Sequence, residues 1–351
     1  MAFLSAQHIS LLGIAACVPK QVEANIDYNW ISLKERELLI KTTGIAKRRI
    51  APDELCTSDM CFASANALIK ELNINKNEID IVIFVSQSPD YFLPATSIIL
   101  QNRLGLQKTT MAFDIQLGCS GYVYGLSIIS TIMSANKFNK GLLMVGDKSS
   151  FSQSKKDKST YPIFGDAGTA TLLEYNVNAN TMNFNLQSDG AGHKAIIIPD
   201  GGVRSPYNKH SEDMFEVEKG IVRSRKNLAL DGLEVFNFSL REAVPNINEL
   251  LKHTNTTIDD YNYFLFHQAN KLMNESIRKK LKLPIEKVPY SLTNFGNTSS
   301  ASIPLTIVTE ISESLKNKIT PLLLSAFGVG LSWGSATLIV ENLVCPKLIE
   351  L

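Results

Sequence analysis

The chain alternates short apolar runs with longer segments in which apolar residues recur at helical spacing. The short runs are bounded by polar residues or glycine and predict buried strands, as in "IVIFVS", "TMAFDI", "GLLMVGD", "YFLFH" and "PLLLSAFG". The longer segments, such as "MCFASANALIKEL" (60–72) and "GYVYGLSIISTIMSANKF" (121–138), predict helices. Strands that alternate with helices in this way predict an α/β fold with mixed sheets covered by helices.

The same order of patterns occurs twice along the chain. "LIKELNINKNEIDIVIFVSQS" (68–88) aligns with "LLKHTNTTIDDYNYFLFHQAN" (250–270), and "LGCSGYVYGL" (117–126) aligns with "FGNTSSASIPL" (295–305). "GTATLLE" (168–174) then aligns with "GSATLIVE" (334–341). Because chance does not readily place several such pairs in one order, we predict a duplication with halves at 1–180 and 181–351.

Charge and cysteine usage exclude several classes of function. The 35 Lys and Arg residues balance 34 Asp and Glu residues, so the net charge of +1 predicts neither a nucleic-acid nor a membrane partner. Five scattered cysteines without CxxC pairs argue against a disulfide framework and against a metal site. The sequence shows neither a signal-peptide pattern nor a long apolar run, so we expect a cytoplasmic protein.

One cysteine lies where a predicted strand gives way to a predicted helix. Cys119, in "DIQLGCSGY" (114–122), is either a packed core thiol or a nucleophile, and this stretch alone favours neither. A helix N-terminus favours a thiolate, so the second interpretation predicts a lowered thiol pKa. The duplication places Asn297 at the equivalent junction of the second half.

A histidine follows a second buried strand. His267 comes directly after "YFLF", and an isolated histidine at such a place is more often a hydrogen-bonded structural residue. The duplication, however, brings this strand end toward Cys119 and Asn297. A thiol with two neutral hydrogen-bond donors suits acyl-thioester chemistry, in which the donors polarise a carbonyl and hold an enolate.

Several motifs in order carry a resemblance to a known family. "GCSG", "HQAN", "GNTS" and "GLSWGSA", at these separations, resemble the β-ketoacyl-acyl-carrier-protein synthase III branch of the thiolase-like condensing enzymes. The resemblance covers nearly the whole chain. It implies a thiolase-like duplicated fold, layered α-β-α-β-α, with two mixed five-stranded sheets.

The resemblance also implies a role for each of the three site residues. Cys119 would take an acyl group from a donor thioester, and His267 and Asn297 would hold the enolate formed when a malonyl thioester loses carbon dioxide. The product would be a 3-oxoacyl thioester, and no metal or other cofactor is implied. The Cys119 amide and the loop of Gly328, Val329 and Gly330 would form the oxyanion hole. The family commonly has three glycines there, so the valine is expected to narrow the pocket or displace the amide.

Further residues are implied around the acyl pocket and the substrate carrier. Phe327 would shield the site, although a core phenylalanine is an equal alternative, and Leu93 would line the pocket of a partner subunit in a homodimer. The resemblance also implies acyl carrier protein as a partner. Four basic residues would meet the carrier or coenzyme A, although such residues usually form a solvated surface: Lys271, Arg278, Lys47 and Arg48.

The sequence departs from the family where coenzyme A is gripped. A tryptophan and an arginine that sandwich adenine in the family are replaced by Leu38 and Lys158, which offer neither a π face nor a planar guanidinium. We therefore expect a carrier-bound acyl donor, or coenzyme A held in a different way. Two alternatives to the condensing reaction stay open: an acyltransferase to an amine or hydroxyl without decarboxylation, and a non-catalytic subunit of a heterodimeric synthase.

Overall fold

The computed structural model describes residues 2–351. Its strands follow in chain order as β1 (Ala2–Ala6), β2 (Ile9–Val18), β3 (Val22–Ala24), β4 (Lys47–Arg49), β5 (Ile79–Val85), β6 (Met111–Ile115), β7 (Lys140–Asp147), β8 (Ala167–Tyr175), β9 (Met182–Ser188), β10 (Ile196–Ile197), β11 (Phe215–Glu218), β12 (Ile221–Arg223), β13 (Ala229–Leu230), β14 (Tyr263–Phe266), β15 (Ile319–Gly328), β16 (Ser332–Glu341) and β17 (Ile349–Glu350).

The α-helices lie between these strands. They are α1 (Leu33–Thr43), α2 (Thr57–Glu71), α3 (Thr96–Arg103), α4 (Gly121–Asn136), α5 (Gly232–Thr254), α6 (Lys271–Lys280), α7 (Leu292–Phe295), α8 (Ser302–Thr306) and α9 (Ser312–Leu315), with a π-helical turn (Ile307–Ile311) joining the last two. No helix within residues 2–351 is both long and apolar enough to cross a membrane.

Two large sheets organise the chain. The first has the strand order β17-β2-β8-β7-β5-β6, and the second has the order β1-β9-β16-β15-β14. Both are mixed, because β5 and β14 pair in parallel with β7 and β15, whereas the remaining central pairs are antiparallel. Strands β5 and β7 are buried over nearly their whole length, which explains why their sequences are continuous apolar runs rather than alternating ones.

The two sheets face each other across buried helices. Helix α4 contacts strands of both sheets, and α8 packs against β2, β8 and β14. Helices α2 and α3 cover the outer face of the first sheet, and α5 covers the outer face of the second. The largest apolar cluster lies between the sheets, so the predicted α-β-α-β-α layering is confirmed.

The predicted duplication is visible in both topology and backbone. Strands β2, β8, β7 and β5 occupy the same order in the first sheet as β9, β16, β15 and β14 in the second. Asn73 and Asn255, which align in the sequence repeat, both adopt a left-handed conformation just beyond a helix, with φ of 49° and 53°. A 3₁₀ turn and a parallel strand follow each of them.

Both chain ends depart from the predicted division at 180 and 181. Strand β1 pairs with β9 and so belongs to the second sheet, while β17 pairs with β2 at the edge of the first. The first sheet consequently has six strands rather than five. Each half therefore completes its sheet with a short edge strand from the far end of the chain.

Candidate active site

Cys119 lies in the tight turn between β6 and α4. Strand β6 ends at Ile115, and the helix begins at Gly121 after a turn that includes the cysteine's neighbours Gly118 and Ser120. The thiol is buried, with 9% of the residue exposed. Gly328 packs directly against it, since a Cβ there would lie 2.7 Å from Cys119 Sγ. Only glycine leaves room for the sulfur at this position.

His267 lies just beyond β14, as the sequence predicts. Its N–H donates to the Ser325 carbonyl at 2.9 Å, which continues the parallel pairing of β14 with β15 past the end of the strand. The ring is buried and packs edge-on against Phe327, with 5.8 Å between ring centroids. Its Nδ1 lies 2.8 Å from Ser302 Oγ.

The hydrogen bonds around Ser302 are compatible with a proton on His267 Nε2. Ser302 Oγ accepts the Gln268 N–H at 3.3 Å, so its own hydrogen is available to His267 Nδ1. We therefore assign the ring proton to Nε2, which leaves an N–H donor on the other side of the ring. Burial lowers the pKa of His267 to about 3, so the ring is neutral near pH 7.

Asn297 is held by its backbone and by one side-chain atom. Its N–H donates to the Ile163 carbonyl at 2.9 Å, and its carbonyl accepts the Gly165 N–H at 3.0 Å. Its Oδ1 accepts the Ser299 N–H at 2.9 Å. Because the oxygen is engaged in this way, the amide presents its Nδ2 hydrogens as donors.

One cavity of about 450 Å³ brings Cys119, His267 and Asn297 together. Phe327, Gly328 and Val329 also line it. The remaining wall is largely apolar and comes from segments near β10, β13 and the start of α5: Ile196, Ile197, Ile198, Leu228, Leu230 and Val235. Within residues 2–351 no group of three or more His, Cys, Asp or Glu side chains is placed to hold a metal ion. The cavity therefore contains a thiol and two neutral hydrogen-bond donors beside a largely apolar wall.

The pKa of Cys119 differs from the sequence-based expectation. Burial raises it to about 11, whereas a helix N-terminus alone predicts a lowered value. Hydrogen bonds from the Val329 N–H and from the N–H of Cys119 itself stabilise the thiolate and lower its pKa. This decrease is smaller than the increase caused by burial. The Cys119 thiol is therefore protonated near pH 7.

The valine in the oxyanion loop does not displace the backbone amide. The Val329 N–H still faces the Cys119 sulfur. Its side chain packs over Gly118, since a Cβ on that glycine would lie 2.8 Å from Val329 Cγ1. Gly330 follows with a φ of 140°, a conformation that L side chains rarely adopt.

Arg48 is a structural residue, so its predicted contact with phosphate is wrong. It is 1% exposed, and its guanidinium pairs with Glu23 at 2.9 Å and donates to the carbonyls of Tyr161 and Phe164. These bonds hold the segment that supports Asn297, and they leave Arg48 no access to a substrate. Its burial could not be read from the basic run that contains it.

The other predicted basic residues divide into two kinds. Arg278 donates to both carboxylate oxygens of Glu275 and to the Leu283 carbonyl, which anchors its guanidinium locally, and its contact with a carrier or coenzyme A stays a prediction. Lys271 and Lys47 are exposed. Leu93 is 82% exposed and does not line the cavity of its own chain.

The two residues at the positions of the expected adenine clamp, Leu38 and Lys158, do not form such a clamp. Leu38 is 63% exposed, and Lys158 Nζ lies 3.8 Å from Glu35 on the same helix as Leu38. The backbone N–H of Lys158 donates to the carbonyl of Gly220, at the tip of the β11–β12 hairpin. Trp30 Nε1 donates to that same carbonyl at 3.1 Å. The hairpin tip is thus fixed beside Lys158.

Two residues of the site, Asp147 and Ser302, are not among the residues predicted from the sequence. Asp147 lines the cavity at the end of β7, and Ser302 orients His267. Asp147 carried a readable signal, since a charged residue directly follows the apolar run "LLMVG". Ser302 carried none, because its role depends on a contact with a residue far away in the sequence.

The sequence models and relatives that are similar to this chain are named for the same synthase. Two sequence models match the chain: 3-oxoacyl-[acyl-carrier-protein (ACP)] synthase III at residues 113–190, and the C-terminal part of the same synthase at 251–340. A putative 3-oxoacyl-[acyl-carrier-protein] synthase 3 of Campylobacter jejuni is 34% identical over 95% of this chain and 92% of its own length. A β-ketoacyl-[acyl-carrier-protein] synthase III of Ehrlichia ruminantium is 32% identical over 92% and 97%.

A solved structure extends the similarity to the fold. The crystal structure of a 3-oxoacyl-(acyl-carrier protein) synthase from Burkholderia xenovorans superposes with a TM-score of 0.94. It is 36% identical to this chain and covers 100% of it, with 99% of that structure aligned.

Proposed function

Because this chain belongs to the 3-oxoacyl-[acyl-carrier-protein] synthase III family of condensing acyltransferases, we propose that Cys119, His267 and Asn297 carry its two half-reactions. The observation that supports this assignment is their convergence on one cavity. Family membership favours the condensing reaction over the simple acyltransferase and the non-catalytic subunit. The substrates are an acyl thioester and a malonyl thioester, and the chemistry requires no redox cofactor.

The first half-reaction acylates the cysteine. Cys119 Sγ attacks the carbonyl carbon of the donor thioester, and the oxyanion accepts hydrogen bonds from the N–H groups of Cys119 and Val329. The donor's C–S bond then breaks, and the departing thiolate takes up the proton that Cys119 lost. The raised pKa of Cys119 makes its sulfur a strong nucleophile once deprotonated.

The second half-reaction generates and uses a carbanion. The malonyl thioester carbonyl accepts hydrogen bonds from His267 Nε2–H and from Asn297 Nδ2–H. The C–C bond to the malonyl carboxylate breaks, carbon dioxide leaves, and the electron pair is held as an enolate. The enolate carbon attacks the acyl-Cys119 carbonyl, and the C–S bond breaks to give a 3-oxoacyl thioester and the Cys119 thiolate, which takes up a proton from solvent. A neutral His267 suits this step, since its donor hydrogen is retained throughout.

We further propose that the acyl donor is bound to a carrier protein. Coenzyme A and the carrier share the phosphopantetheine arm, so only the nucleotide distinguishes them. Leu38 provides no stacking surface, and Lys158 is paired with Glu35 and fixed beside the hairpin tip. The exposed Lys271 and Lys47 supply positive charge for an acidic carrier.

We expect acyl-carrier donors to acylate Cys119 at least about tenfold faster than acyl-CoA of the same chain length, because base stacking is missing. Acyl-pantetheine should react about as fast as acyl-CoA. Rates are followed by intact mass, and Leu38→Trp combined with Lys158→Arg should raise the acyl-CoA rate selectively. A clear preference of the wild type for acyl-CoA over both alternatives would contradict a carrier-bound donor.

We also propose a homodimer in which a second copy closes the acyl pocket. Tyr91, Phe92 and Leu93 form a loop whose residues are 63%, 92% and 82% exposed, an unusual exposure for three consecutive large apolar side chains. Insertion of this loop into the second copy would bury it and supply Leu93 to that copy's cavity. Sedimentation equilibrium should give twice the mass of the chain, and Leu93→Asp should weaken the dimer. A monomer at micromolar concentration would contradict the assignment.

A further inference from the structure

A buried carboxylate in the cavity wall has no role in the two half-reactions as described above. Asp147 ends β7, is 3% exposed, and lines the same cavity as Cys119 and Asn297. No basic side chain within residues 2–351 forms a salt bridge with it, and the adjacent Lys148 directs its Nζ to the carbonyls of Pro52 and Asp53. A buried unpaired carboxylate is costly unless hydrogen bonds replace its hydration.

Hydrogen bonds from both halves of the fold satisfy Asp147. Its Oδ1 accepts the Gln87 N–H at 2.7 Å and the Ser86 hydroxyl at 3.2 Å, both at the end of β5. Its Oδ2 accepts the Ser300 hydroxyl at 2.6 Å and the Ser300 N–H at 3.2 Å. Asp147 therefore ties the turn after Asn297 to the strand ends of the half that carries Cys119.

The turn that Asp147 holds determines the orientation of the Asn297 amide. The Ser299 N–H donates to Asn297 Oδ1, and Ser299 adopts a left-handed conformation with a φ of 49°. A residue other than glycine keeps this conformation only where its surroundings impose it. Ser300, the next residue, provides that constraint through its two bonds to Asp147.

We propose that Asp147 is a positioning residue for the decarboxylation step. Acting through Ser300, it holds the Ser299 turn and thereby aims the Asn297 donors at the malonyl carbonyl. This inference rests on the proposed function, and it assigns Asp147 no contact with substrate. The acylation step does not use the Asn297 amide, and the turn touches Cys119 only through the Ser299 hydroxyl, which favours the thiolate.

The charge of Asp147 disfavours the Cys119 thiolate, whereas its hydrogen bonds support the proposed decarboxylation step. After burial, repulsion by the nearby carboxylate contributes to the raised pKa of the thiol. Removing the charge therefore lowers that pKa and increases the thiolate fraction at a given pH. Loss of Asp147 should consequently slow one half-reaction and leave the other as fast or faster.

The test compares Asp147→Asn and Ser300→Ala with the wild type. Ser300→Ala removes the 2.6 Å hydroxyl bond but keeps the carboxylate and its bonds from β5. Acylation is measured by intact mass, decarboxylation by carbon dioxide release, Cys119 reactivity by iodoacetamide at pH 8, and folding by thermal unfolding. Asp200→Asn is the control for loss of a buried carboxylate outside the cavity, since Asp200 accepts bonds from Ser205 and Ser211 and also pairs with Arg225.

Both variants should lose about tenfold to a hundredfold in kcat for decarboxylation, with KM changed less than about threefold. Acylation should be retained in both, and Asp147→Asn should alkylate at least as fast as the wild type. Asp200→Asn should leave the ratio of the two half-reactions unchanged.

Four results would overturn the inference. A parallel loss of both half-reactions in both variants would show a purely structural role, and an unchanged decarboxylation rate would show no role. A selective loss of acylation and alkylation would show that Asp147 takes the Cys119 proton instead. A wild-type enzyme that releases no carbon dioxide would reject the proposed function itself, and the inference with it.

Discussion

Replacing Cys119 by alanine should abolish the covalent acyl adduct and lower condensation by at least about a thousandfold. The reason is that Cys119 is the thiol that lines the cavity with His267 and Asn297, and that the Val329 N–H faces its sulfur. The methyl group of alanine leaves the fold unchanged but provides no nucleophile. Intact-mass analysis after mixing with acyl donors measures the adduct directly.

A second cysteine provides the control for this experiment. Cys345 is partly exposed, and burial of its thiol raises the pKa to about 12. Cys345→Ala should therefore retain the adduct, because this thiol lies outside the cavity. An adduct of wild-type yield in Cys119→Ala, mapped by peptide sequencing to another residue, would remove Cys119 from the mechanism.

The duplicated fold could be predicted because the repeat leaves local signals in the sequence. Asn73 and Asn255 align in the sequence and share a left-handed conformation, since asparagine tolerates this region better than most residues. The apolar runs of β5 and β14 likewise reveal buried parallel strands. No comparable signal in the sequence indicates that β1 lies in the second sheet and β17 in the first. The position of a short edge strand depends on packing rather than on its own pattern of apolar residues.

The site could be predicted where chemistry follows from residue type and place, but not where it depends on burial. The convergence of Cys119, His267 and Asn297 on one cavity could be predicted from their places near strand ends and from the repeat. The raised pKa of Cys119 and the structural role of Arg48 both result from loss of solvent, which a single sequence does not display. The position of Asp147 directly after an apolar run is visible in the sequence, but its hydrogen bonds are not, since they come from segments far apart in the chain.

Replacing His267 or Asn297 by alanine should separate the two half-reactions. Each variant should still acylate Cys119, because the oxyanion hole that we propose consists of the Cys119 and Val329 N–H groups rather than of these side chains. Each should lose about a hundredfold to a thousandfold in malonyl decarboxylation, the usual cost of removing one donor to a developing oxyanion. Carbon dioxide release and intact mass, measured on the same preparation, report the two steps independently.

The isosteric Asn297→Asp separates the loss of a donor from a change of shape. The introduced carboxylate would keep the side-chain volume and the bond from the Ser299 N–H, but it would present an acceptor where Nδ2 donates. Decarboxylation by this variant should therefore fall at least as far as in Asn297→Ala, while Cys119 is still acylated. If Asn297→Asp decarboxylated at the wild-type rate, the amide would not be a donor to the enolate. If His267→Ala, Asn297→Ala and Asn297→Asp all lost acylation instead, the proposed roles would be wrong. Backbone N–H groups would then not suffice for acylation.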